Sequence, residues 1–182
     1  IHGEAGRGTL LAPSGLGLDK RNLRWIIAPA ADFSRCSLVG TNFGDADLYA
    51  ASFEGADCRG ANFERSDIRG ATFAGAKLQG ANFEGADLRA GKYVRPSAEA
   101  TKSSDLSNAK LDQASLKGAR LDGANLAGAS ARGADLSNAS MNQVDFSGAD
   151  LQGANLSRVK LKGAVLSGAN LADADLRRAN LI

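Results

Sequence analysis

The residues with the most obvious chemical capacity recur at a spacing of twenty: Asp47, Asp67 and Asp87. Carboxylates brought side by side can share acid/base work. Arg69 and Arg89, however, follow two residues after the last two of them and leave from the same strip. The column therefore reads as a solvated, charge-balanced strip and not as a catalytic pair. The single histidine, His2, sits in a glycine-rich lead, while Cys36 and Cys58 fall on inward positions of the pattern and read as buried thiols. Their expected separation is about 7 Å if successive layers stack at about 4.8 Å, the outer limit of disulfide geometry. Two cysteines and one histidine do not make a zinc set. With no phosphate loop, nucleophile elbow or metal-ligand spacing, the sequence predicts a non-enzyme with no cofactor and no metal.

What places these residues is a period of five. From Ala31 onward every fifth residue is apolar: Phe33, Leu38, Phe43, Leu48, and so on through Leu88 to Tyr93. Two residues before each centre stands something small, usually alanine, and directly before it mostly Asp, Asn, Ser or Thr. Five residues on a helix advance about 500°, which scatters the centres around the cylinder. On a strand an odd step sends each centre to the opposite face. The chain must therefore turn within every repeat, and glycines such as Gly55 and Gly75 supply that turning through positive φ. Asn22, Asn42, Asn62 and Asn82 repeat every twenty, as the aspartates do, and Phe alternates with a smaller centre. Coils of twenty residues stack each kind on itself, whereas coils of fifteen mix them. The spacing predicts an all-β square solenoid with Phe columns on opposite walls.

Runs such as Ala-Asn-Phe-Glu-Gly (81–85), Ala-Asp-Leu-Arg-Ala (86–90) and Ala-Asn-Leu-Ala-Gly (124–128) resemble pentapeptide repeats, and the resemblance covers about Ala31 to Ile182. It implies a right-handed quadrilateral β-helix with one repeat per side. Some proteins of that family resemble DNA in shape and charge and bind type II topoisomerases such as gyrase. Such mimics have strongly acidic surfaces and a C-terminal dimerisation helix, which are missing here, where the net charge is +2. The resemblance places the protein in a bacterial cytoplasm or, if processed, in the plastid or thylakoid of a photosynthetic organism.

Along the chain, residues 1–15 read as an irregular lead, 16–93 as a first solenoid segment with a degenerate first coil, 94–105 as a loop and 106–182 as a second segment. The period breaks between Tyr93 and Leu106, around Pro96, and resumes with Leu in place of the Phe alternation. Val144 and Val159, where alanine is usual, suggest wider corners. About eight coils result. The start at Ile1 suits a processed or incomplete chain, and no apolar run approaches the roughly 18 residues of a membrane span.

Function is expected at the irregular places, because walls of Asp, Asn, Ser, Gly and Ala offer few anchors. Trp25, Ile26 and Ile27 are expected to cover the first coil, with Trp25 alternatively anchoring a partner. Tyr93 and Arg95 flank the loop, and Arg158, Arg177 and Arg178 gather near the C-terminal end, Arg158 and Arg178 one coil apart at one corner. The reading is a rigid structural module that docks a protein partner or larger complex through an end or the loop. It takes no nucleic acid and is open to end-to-end self-association. Binding gyrase as a DNA mimic is the alternative.

Overall fold

The computed structural model describes residues 17–95 and 98–182; the lead over 1–15, His2 and Pro96 lie outside them. The residue before each centre bridges in parallel to its counterpart one coil on, as Asn42 does to Asn62 and Asp47 to Asp67. A centre within the stack typically makes two backbone bonds. The N–H of Phe43 reaches the next coil at Asn62 O (2.6 Å), and its carbonyl accepts the N–H of Ala46 (3.1 Å). That second bond closes a β-turn whose third residue must take positive φ, the type II geometry. Among the described residues fifteen glycines hold this φ, but fourteen other residues hold it too, among them Trp25, Ala50, Arg158 and Arg178. The fold thus imposes the left-handed conformation even where it costs about 1–2 kcal/mol.

Four bridge columns define the walls. The first runs Gly17, Ser37, Asp57, Lys77, Lys110, Ser130, Asp150 and Asn170, eight levels deep. The second carries the asparagines from Asn22 to Asn82 and ends at Asp175; the third carries Asp47, Asp67, Asp87 and Arg120; the fourth runs from Asp32 to Val165. This is the all-β square solenoid that the spacing predicts. Within it, Phe43, Phe63 and Phe83 stack in one column at 5.2 and 4.9 Å, nearly parallel. Phe33, Phe53 and Phe73 stack on the opposite wall at 5.1 and 4.7 Å. The two columns meet edge-on across the core, 5.4–5.8 Å apart. The alanine-position corners are sealed, with Ala61, Ala71 and Ala81 at 0% exposure. Valine does widen them: the turn into Val144 opens to 3.3 Å, and no turn bond forms at Val159 among the described residues.

The interruption differs from the expected loop. Thr72 bridges Asp105, thirty-three residues on, as Lys77 does to Lys110, Asn82 to Ser115 and Asp87 to Arg120, where the other described bridges step by twenty. The added residues form an antiparallel hairpin of β1 (Gly91–Arg95) and β2 (Ala98–Lys102), with Gly91 opposite Lys102 and Tyr93 opposite Ala100. Tyr93 is thus a strand residue of the hairpin, and Leu88 is the last centre before the break. Asp105 has already rejoined the fourth wall. Tyr93 falls five residues after Leu88, so its phase alone imitates a core position; only the pairing to Ala100 reveals the departure. The break therefore begins at residue 91 and not at 94.

Ala81 and Glu84 test the inward and outward positions. Ala81→Leu overfills a closed corner and should lower stability by about 1–3 kcal/mol or more. Glu84→Leu, on an exposed position, should stay within about 0.5 kcal/mol. Thermal melts compare the two, and equal losses would contradict the assignment.

Candidate functional site

The aspartates and asparagines before the centres have a structural task. Their side-chain oxygens accept the backbone N–H two residues later, as Asp67 Oδ1 does from Arg69 N (3.3 Å) and Asn82 Oδ1 from Glu84 N (2.9 Å). Such Asx bonds favour the turn. The asparagines also link successive coils, with Asn62 Nδ2 donating to Asn42 Oδ1 and Asn82 Nδ2 to Asn62 Oδ1, both at 3.0 Å. On the third wall Arg69 and Arg89 fold back on Asp67 (2.6 Å) and Asp87 (2.7 Å). Burial works against ionisation of Asp87, but hydrogen bonds from Arg89 and the charges of Arg89 and Arg120 hold its carboxyl below the ordinary range. A neutralised carboxylate held ionised is a poor proton acceptor. The column is the charge-balanced strip expected from the sequence.

The edge after the third wall carries the root of the hairpin. Tyr49 and Arg69 stand one above the other there, with the guanidinium 5.3 Å from the ring centroid. The Tyr49 hydroxyl donates to the carbonyl of Lys92 in β1. Ser104, fully buried at the return of the hairpin, accepts the N–H of Gly70 (3.0 Å) and donates to Arg89 O (3.1 Å). Gly70 leaves little room for a side chain, since a Cβ there would lie 3.2 Å from the Gly91 backbone. Tyr49, Arg69, Arg89, Ala90, Lys92 and Asp122 line a shallow cleft of about 340 Å³ against this root. Tyr93 and Arg95 belong to the hairpin beside it, where the sequence alone puts Tyr93 in the last repeat before a loop and Arg95 in that loop. Tyr49, Ser104 and Asp122 were not foreseen. The shared phase of Tyr49, Arg69 and Arg89 at twenty-residue steps was the available signal.

The first coil does not cover the core with its tryptophan. Trp25 takes the third turn position, φ 62°, and is 65% exposed at the corner, with Arg24 4.6 Å over its ring. Ile27 is an outward bridge residue, 79% exposed. Only Ile26, at an inward corner position, packs on the core. The type II turn sends residue 25 outwards whatever its apolarity. Arg24 also binds Asp45, whose other oxygen takes Arg65 at 2.8 Å. Arg65 foremost, then Arg24, holds the Asp45 carboxyl down to about 2.

Farther along this same edge, which follows the second wall, the structure brings together Arg158, Arg177 and Arg178. With Ser137, Asn138 and Ser157 they line a recess of about 410 Å³. Cys36 and Cys58 are buried, and burial foremost pushes the Cys58 thiol well above the ordinary range, which leaves it protonated. Among the described residues no group of His, Cys, Asp and Glu is arranged to hold a metal ion. Nor is any helix there long and apolar enough to cross a membrane.

Two family descriptions match the chain: a pentapeptide repeat region over residues 29–102, and pentapeptide repeats over 104–143 and 145–181. A trypsin-treated form of QnrB1, a plasmid-mediated fluoroquinolone resistance protein, shares the fold at 16% identity and TM-score 0.56, with 96% of this chain and 92% of that one covered. HetL, a pentapeptide repeat protein involved in heterocyst differentiation regulation from the cyanobacterium Nostoc, is 29% identical over 90% of this chain and 88% of its own, with TM-score 0.29. A pentapeptide repeat protein of the Arabidopsis thaliana thylakoid lumen is 27% identical over 69% and 68%, with TM-score 0.26. No curated protein matches the sequence.

Two outcomes follow from this geometry. Tyr49→Phe removes the hydroxyl that holds Lys92, so tryptic cleavage within residues 91–102 should accelerate while the melting temperature stays within a few degrees; unchanged cleavage would contradict the role of the hydroxyl. Asp45 has a folded pKa of about 2, below its ordinary 3.8. Its contribution to stability is therefore complete above about pH 4 and is lost as pH falls towards 2. Asp45→Asn should reduce the fall in melting temperature across that window, and a fall parallel to that of the unmodified protein would contradict the pairing.

Proposed function

The chain belongs to the pentapeptide-repeat family, and from that premise we propose that it is a non-enzymatic interaction module in which a rigid rod presents a hairpin to a protein partner. One observation carries this reading. The hairpin adds thirteen residues that the solenoid does not need, yet its root is fixed by Tyr49, Ser104 and the close approach of Gly70 to Gly91. Joining Ala90 directly to Ser104 would give Leu-Arg-Ala-Ser-Asp-Leu, an unbroken continuation of the repeat. An insertion that the fold can spare, held at a fixed angle on a stiff scaffold, suits recognition. Tyr93 and Arg95 are the hairpin residues of the types that most often anchor interfaces. The capped, ion-paired walls supply spacing.

DNA mimicry is the competing reading, and charge weighs against it. A mimic needs an unneutralised acidic surface, whereas here Asp57, Asp67, Asp87 and Asp175 are each met by an arginine two residues on, and the net charge is +2.

Deleting Gly91–Ser103 tests the proposal. The variant should keep its β-type circular dichroism and melt cooperatively, because the twenty-residue period is restored. It should lose a protein that co-purifies with the unmodified chain. Retention of every co-purifying protein by a folded deletion variant would overturn the hairpin reading. Inhibition of gyrase supercoiling, equal with and without the hairpin, would favour mimicry.

A further inference from the structure

The edge after the second wall changes character along its length. In its first half every described cation beside a carboxylate is paired with it. Arg24 and Arg65 clamp Asp45 at 2.7 and 2.8 Å, and Lys117 lies 3.7 Å from Glu84. In the second half the positions that carried Glu64 and Glu84 are taken by Ser137 and Ser157, while arginines remain. Arg158 and Arg178 have no carboxylate within salt-bridge distance among the described residues. Arg177 is held by Asp175 through Nε and Nη2 (2.9 and 2.8 Å), which leaves its Nη1 unengaged. The hydroxyls of Ser137 and Ser157 make no hydrogen bond within the described chain, and their backbone N–H groups are turned back to Asp135 and Asn155. Together with Asn138 these six residues enclose the recess of about 410 Å³, and none of them is acidic.

We propose that this recess binds a phosphate group. The lining consists of guanidinium, hydroxyl and amide groups, all able to donate, and offers no anion of its own. Arg158 and Arg178 issue from adjacent coils, about 4.8 Å apart, with the two serines from the same and the preceding level. A carboxylate presents only two oxygens in one plane, which a guanidinium fork matches. Donors spread over three levels instead suit a tetrahedral oxyanion with three terminal oxygens. Lys160, exposed on the bridge position just beyond Arg158, adds to the positive field. The phosphate is either free or an ester on a partner segment, since both present the same oxygens. The site lies on a different edge from the hairpin and does not depend on it.

The backbone supplies a clean test. Arg158 and Arg178 sit at positive φ, 58° and 61°, where glycine is the unstrained residue. The double variant Arg158→Gly/Arg178→Gly should therefore melt no lower than the unmodified chain, so that lost binding is not lost folding. Calorimetric titration would use inorganic phosphate, a phosphoserine peptide, and the same peptide unphosphorylated. The expected result is saturable 1:1 binding of at least one phosphate-bearing probe, no binding of the unphosphorylated peptide, and a loss of about tenfold or more per arginine removed. Affinity for the phosphoserine peptide should rise from about pH 5 to 7.5 as its second proton leaves near pH 6. A phosphopeptide preferred over inorganic phosphate places the group on a partner; equal affinities point to free phosphate, and both support the site. The variant lacking Gly91–Ser103 should bind as the full chain does, which separates this site from the hairpin proposal. Failure of both phosphate probes to saturate, undiminished binding by the double variant, or equal binding of the unphosphorylated peptide would overturn it.

Discussion

Everything in this protein depends on the chain returning to the same place every twenty residues. Below the last coil the centres donate their N–H to the coil above, and most close a turn with their carbonyl, so one slipped residue would unpair a whole column. That requirement outranks residue preference at the corners. Tryptophan, alanine and arginine accept the left-handed conformation at positions where glycine is at ease, because abandoning it would cost the turn bond and the bridges on both sides. It also explains the form of the interruption. An insertion is tolerated only if it leaves and re-enters at one corner, and an antiparallel hairpin with Gly91 opposite Lys102 does so. The ladder resumes at Thr72–Asp105 with its geometry unchanged.

The same constraint settles the meaning of the polar columns. Asp and Asn recur before the centres because their short oxygens cap the turn that follows, and in the asparagine column they also tie coils together. Residues whose spacing suggested acid/base chemistry are thus consumed by architecture, and at Asp67 and Asp87 the arginines two positions on complete the neutralisation. Against this regular background the exceptions become informative. One is the hairpin with Tyr49 and Ser104 at its root; the other is the stretch of edge where arginines outlast the carboxylates that paired them farther up.

Fold and register were legible in the sequence because each centre, corner and cap is chosen by a local rule repeated many times. The stacking of Phe43, Phe63 and Phe83 follows from twenty-residue spacing alone, and so does the corner shared by Arg158 and Arg178. The hairpin was legible only as a break. Tyr93 stands in phase with the centres, and nothing local distinguishes an aromatic that enters the core from one that pairs across a strand. Trp25 misled for a related reason: apolarity suggested a lid, but turn geometry points its side chain outwards. The role of Tyr49 rests on a bond to a residue forty-three positions away, which no periodic rule predicts.

The central claim is that the two repeat segments form one continuous rod despite the hairpin between them. Amide hydrogen exchange on the full chain tests this most directly, because the bonds Phe73 N to Asp105 O, Leu78 N to Lys110 O and Leu88 N to Arg120 O cross the junction. The account predicts that these amides are protected to the same degree as those in the middle of either segment, and that all are lost together on denaturation. Two classes of protection, with the junction amides exchanging early and the segments unfolding separately, would contradict it.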